Sequence, residues 1–190
     1  MKKNVLIKTI IASSLLIASV GSYAADGTIT FNGQITAASC TVGNGGGSTD
    51  LNVTMPSVTA SSIGTSPDVL SGMTTFSIEL TNCRSQTTTA EKMRVTFSGQ
   101  GDENNPYVLK NTASSGAATN VGIQLLEADA VTRIDINAGS NKASEITLPT
   151  SSENPESYVL HFNAAYVNVG GAVPTAGAVT ATANYTIEYN

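Results

Sequence analysis

The stretch Gly177–Asn190 reads GAVTATANYTIEYN and has a side-chain period of two. Val179, Ala181, Ala183, Tyr185, Ile187 and Tyr189 face one way, and Thr180, Thr182, Asn184, Thr186 and Glu188 the other. The spacing predicts one long amphipathic strand over 177–190. A mirror of the pattern stands near the start of the chain, where Gly27, Ile29, Phe31, Gly33 and Ile35 alternate with Thr28, Thr30, Asn32 and Gln34. Two amphipathic strands therefore bracket the rest.

Between them, threonine, serine, valine, alanine and glycine dominate, tryptophan is absent, and the helix-favouring Leu, Lys, Arg and Glu are sparse. That is a strand-and-turn composition. Period-two faces recur at Leu51, Val53 and Met55, at Phe76, Ile78 and Leu80, and at Met93, Val95 and Phe97. Further faces follow at Val121, Ile123 and Leu125, at Ile134 and Ile136, and at Tyr158, Leu160, Phe162, Ala164 and Tyr166. Turn-forming clusters separate them, among them 43–48, 64–68, 99–106, 149–155 and 170–177. Short strands with frequent turns and no long helical pattern imply an antiparallel β-sandwich of the immunoglobulin type, with core packing as the role of the middle faces. One helical turn is expected around Thr59 to Ile63.

Residues 1–24 read as a secretory signal peptide. Lys2 and Lys3 precede an apolar run from Val5 to Val20, which ends in the small-residue stretch Ser22-Tyr23-Ala24. The remaining 166 residues suit a single domain with its own core. The leader takes three of the nine lysines and arginines and none of the 14 acids, leaving six bases and a net charge of −8. That balance argues against nucleic acid or an anionic membrane as partner, because either needs a basic patch to displace counterions. The two cysteines, Cys40 and Cys83, both lie in the exported part, where an oxidising compartment favours a disulfide. Neither has a nearby histidine or second cysteine at metal-ligand spacing.

A hydrolase triad needs a base, and the chain has one histidine, His161. The alternation places it opposite Leu160 and Phe162, toward solvent, and no G-x-S-x-G elbow accompanies it. The glycines of 43–49 lack the lysine of a phosphate-binding loop. Asp102, Glu103, Asn104 and Asn105 lack the remaining spacing of a calcium loop. No catalytic residue, metal site or cofactor is assigned, so function is expected in surfaces that bind other protein chains.

Several segments together resemble the subunits of chaperone–usher pili, in the type 1 fimbrial major-subunit family. They are GTITFNGQITAASC before the first cysteine, FSIELTNC at the second, NVGIQLLE, YVLHFNAAYV, and the closing segment with a glycine fourteen places from its end and a penultimate tyrosine. The resemblance implies an all-β, incomplete immunoglobulin-like sandwich over 37–190 that lacks its last strand. Residues 25–36 would then be a donor-strand extension, presenting Gly27, Ile29, Phe31, Gly33 and Ile35. Gly177, Val179, Ala181, Ala183, Tyr185, Ile187 and Tyr189 would form the acceptor groove and the strand that meets a chaperone. Implied partners are neighbouring pilin subunits, a periplasmic chaperone and an outer-membrane usher, and the implied destination is a cell-surface fimbria that supports adhesion. A minor pilus-tip subunit or carbohydrate-binding adhesin module is the competing expectation.

Overall fold

A computed structural model describes residues 37–43, 48–137 and 145–190. The expected signal peptide and the donor-strand extension with Gly27, Ile29, Phe31, Gly33 and Ile35 lie outside the described residues. So does most of the glycine cluster at 43–47.

Two long strands, β2 (Leu70–Arg84) and β8 (Glu156–Asn168), pair antiparallel and set the frame. Their register places Phe76 opposite Phe162, Ile78 opposite Leu160 and Leu80 opposite Tyr158, so the apolar faces read in the sequence meet on one side of the sheet. On the other side Ser77 stands opposite an exposed His161, as the alternation predicts. β1 (Ser39–Val42) extends this sheet beyond β2. β5 (Val121–Leu126) extends it beyond β8, and carries the short β4 (Leu109–Lys110) and β6 (Arg133–Ile134).

The facing sheet has three strands in the order β7, β3, β9, comprising β3 (Lys92–Gly99), β7 (Ile146–Thr147) and β9 (Ala183–Tyr189). Met93, Val95 and Phe97 of β3 point between the sheets and are at most 5% exposed. There the Phe97 ring meets Phe162 edge-on at 4.9 Å and Phe76 at 6.3 Å, a geometry that aromatic quadrupoles favour. This is the predicted sandwich, with one sheet half the width of the other.

The expected helical turn is α1 (Ala60–Ile63), entered from Thr59 and closed by Gly64 at φ +66. It buries Ile63 against the core. The disulfide joins Cys40 on β1 to Cys83 on β2, with Cα atoms 4.1 Å apart, and so fastens the edge strand to the frame.

Three departures from the sequence reading have physical causes. All six residues of β5 are buried rather than alternate ones. The loop after β5 folds over its outer face, where the Asn163 amide donates to the Glu127 carbonyl and the Gln124 amide to the Ile134 carbonyl. The predicted strand over 177–190 pairs with β3 only across 183–189. Upstream, the backbone changes partner: Ala178 N–H donates to the Gly116 carbonyl, Ala118 N–H to Ala178, and Thr112 N–H to Thr180. The approach is closest at Gly177, where a Cβ would stand 2.5 Å from the Ala118 nitrogen and closer still to the Gly116 carbonyl oxygen. Glycine is required there by space.

The third departure concerns Leu51, Val53 and Met55, which the alternation assigns to a core strand. They belong to no strand, and Leu51 is 40% exposed. Among the described residues, 51–58 make no hydrogen bond at all. Val53 and Met55 turn inward nonetheless. The residues have the side-chain pattern of a strand and lack the backbone partner.

Candidate binding groove

Among the described residues, β9 is the last strand of its sheet, paired on one edge only. That edge is held to β3 through a continuous register from Met93↔Tyr189 to Gly99↔Ala183. On the outer face Arg94 reinforces it, its Nε and Nη2 reaching one carboxylate oxygen of Glu188 at 2.8 and 2.7 Å. The second edge of β9 faces 51–58 across a groove of about 910 Å³. Apolar side chains from both sheets make the groove floor: Phe76, Ile78, Phe97, Ile123, Leu125 and Ala164.

Of the seven residues assigned to the acceptor in the sequence, Val179, Ala181, Ala183, Tyr185 and Ile187 line this groove. All five are half-buried, while Thr180, Thr182, Asn184 and Thr186 between them are exposed. The alternation thus runs through the whole segment although the ladder covers only its second half. Ala181 and Ala183 leave space that larger residues would fill.

Gly177 and Tyr189 stand outside the lining. Gly177 occupies the tight approach to 116–118. Tyr189 lies at the far end of β9, where its hydroxyl accepts a 2.8 Å hydrogen bond from the Cys40 N–H and ties β9 to β1. Burial pushes the Tyr189 phenol above its ordinary pKa, and the Cys40 bond works against that shift.

Leu51, Val53 and Met55 line the opposite rim. Sequence reasoning gave this segment to the core because a half-buried rim and a core strand share one pattern. Near its start the Tyr185 hydroxyl donates to the Thr49 carbonyl at 2.5 Å, across the mouth of the groove.

A strand edge and a facing backbone that both lack partners among the described residues, with apolar side chains open between them, together have the form of a missing strand. Backbone N–H and C=O groups in such a place must find partners or stay solvated. Among the described residues that line it, the groove holds one carboxylate, Asp50, and no lysine, arginine or histidine. His161 is on the far face of the larger sheet. Among the described residues no three His, Cys, Asp or Glu side chains gather as a metal site. The geometry suits an extended peptide with apolar residues at alternate positions.

Residues 29–190 match the family model described as fimbrial protein. The chain belongs to the fimbrial protein family. It is 39% identical over 175 residues to the "F17 fimbrial protein" of Escherichia coli, covering 90% of this chain and 91% of that one. It is 36% identical over 177 residues to the "Major fimbrial subunit SMF-1" of Stenotrophomonas maltophilia, covering 93% and 99%. To the "Laminin-binding fimbrial subunit ElfA" of Escherichia coli O157:H7 it is 33% identical over 192 residues, covering 100% and 99%. Among solved structures, the P pilus rod subunit PapA superposes with a TM-score of 0.56 over 80% of this chain and 99% of that one, at 21% identity. That likeness concerns the fold.

This fimbrial protein is therefore a structural pilus subunit with an incomplete immunoglobulin-like sandwich. It belongs to a family of surface fimbriae and assembles with other pilin subunits. The three relatives just named are each described as a fimbrial protein or fimbrial subunit.

Proposed function

We propose that this subunit polymerises head-to-tail by donor-strand exchange. Residues 25–36 of one copy fill the groove of the next, after a periplasmic chaperone has lent a strand to the same groove and delivered the subunit to an outer-membrane usher. The observation that carries this reading is the pair of rims, β9 and 51–58, that face each other across one apolar groove without a strand partner among the described residues.

The donor has the side chains such a groove takes. Ile29, Phe31 and Ile35 share one face, and burying three side chains of this size contributes on the order of 5–9 kcal/mol before entropy costs. Main-chain bonds to both rims fix the register. Gly33 on the same face leaves a gap in that apolar row, and a bulky residue there would clash with the acceptor. Because donor and groove are different surfaces, each contact leaves one free groove and one free donor, and the assembly grows as an open filament.

The same reading assigns Val179, Ala181, Ala183, Tyr185 and Ile187 as acceptor residues, and Gly177 and Tyr189 as the residues that hold the acceptor strand at its two ends. Export through the periplasm to the fimbria follows from the leader at 1–24.

The test is deletion of residues 25–35. The shortened subunit is expected to bind a chaperone and to accept a donor strand without donating one. Long fibres made from the shortened subunit alone would refute the donor assignment.

A further inference from the structure

Tyr185 does something in the groove that its neighbours on β9 do not. Val179, Ala181, Ala183 and Ile187 end in methyl groups, whereas Tyr185 extends a ring from one rim and donates its hydroxyl to the Thr49 carbonyl at the start of the other. The bond lies at the solvent-exposed level of the groove, where Thr49, Asp50 and Leu51 are themselves exposed. A strand inserted between the rims must run at this level, about 4.8 Å from each neighbouring backbone, to bond to both. The tyrosine and the strand cannot both cross the same space with the Thr49 bond intact.

We infer that Tyr185 and the Thr49 carbonyl form a clasp that holds the rims together in the unfilled subunit and must open for a donor strand to seat. The inference rests on the groove being the strand acceptor. The clasp acts on the rate of insertion. In the empty groove it closes the mouth beside Val53 and Met55, limiting exposure of the apolar floor. In the filled groove the donor backbone replaces it with main-chain bonds, so its loss leaves the filled state unaffected. Tyr185 is on this account a positioning residue for the rim. The remaining hydroxyl near this strand's end, Tyr189, bonds to β1 and leaves the groove open.

The experiment uses the mature chain, residues 25–190, mixed with an excess of a fluorescently labelled peptide of residues 25–36. Insertion and release are followed by anisotropy for the wild type, for Tyr185→Phe, and for Tyr185→Leu as a second variant without the hydroxyl. A single neutral hydrogen bond of this kind changes an equilibrium by about two- to tenfold. Insertion is expected to accelerate by a factor in that range in both variants, with release unchanged in Tyr185→Phe, which keeps the groove-lining ring, and faster in Tyr185→Leu, which takes that ring out of the acceptor. Equal insertion rates in all three chains overturn the clasp and leave the acceptor reading standing. In Tyr185→Phe, a change in release of the same size as that in insertion reduces Tyr185 to a structural residue and also overturns it. Failure of the peptide to bind any of the three chains overturns the acceptor reading along with the clasp.

Discussion

The hydroxyl of Tyr189 accepts a 2.8 Å hydrogen bond from the Cys40 N–H, so the penultimate residue of the chain is fastened beside the disulfide that joins β1 to β2. The last strand of the smaller sheet is thereby anchored to the edge of the larger one at a single end. The segment that leads into it is held at Gly177 against 116–118 by close backbone approach. Between these anchors one edge of β9 has no strand partner among the described residues.

Tyr189→Phe removes the acceptor and leaves a part-buried N–H without its partner. The expected cost is about 1–3 kcal/mol in the donor-filled subunit. Urea unfolding of wild type and variant measures it, and an unchanged midpoint would contradict the anchoring role.

Gly177→Ala places a Cβ against the backbone of 116–118, where atoms of neither segment can rotate away. A loss of about 1–3 kcal/mol is expected from overpacking, measured in the same unfolding assay. A neutral Gly177→Ala would mean that the close approach relaxes freely.

Replacing both Cys40 and Cys83 by serine opens a loop between cysteines separated by 43 residues. Chain entropy predicts a loss of about 4 kcal/mol. Thermal unfolding of the donor-filled form with and without reductant gives the comparison.

Alkaline stability follows from the phenols. Burial, with help from the bond to the Glu156 carboxylate, pushes Tyr158 up to about 12, and burial also raises Tyr166 and Tyr189. A folded-state pKa raised above the unfolded value near 10 contributes stability that is complete below pH 10 and is lost as pH rises toward 12. The midpoint of unfolding is therefore expected to fall between pH 10 and 12, and Tyr158→Phe to fall less steeply. A flat profile for the wild type over that range would contradict it.

Alternation read the burial of 179–187 correctly because it records which side of an extended backbone meets the interior. It is silent about the hydrogen-bond partner, and that is where it failed. At 178–180 the backbone leaves β3 for 112–118 with the side-chain period unbroken. At 51–58 the period belongs to a rim with no partner among the described residues. The full burial of β5 was equally hidden, since the loop that covers its outer face is set by long-range bonds such as Asn163 to Glu127. The core-facing sides of β2, β3 and β8 were legible because they are buried by one another, whereas the burial of Asn163, Ala165 and Val167 on the other face of β8 was not.

Amide hydrogen exchange in the subunit lacking residues 25–35, before and after adding a peptide of residues 25–36, tests the empty-slot claim most directly. Amides of 51–58 and those on the free edge of β9 are expected to exchange fast in the empty subunit and to become protected on addition, while β2 and β8 stay protected throughout. Slow exchange at 51–58 and along β9 in the empty subunit, unaltered by the peptide, would contradict the account.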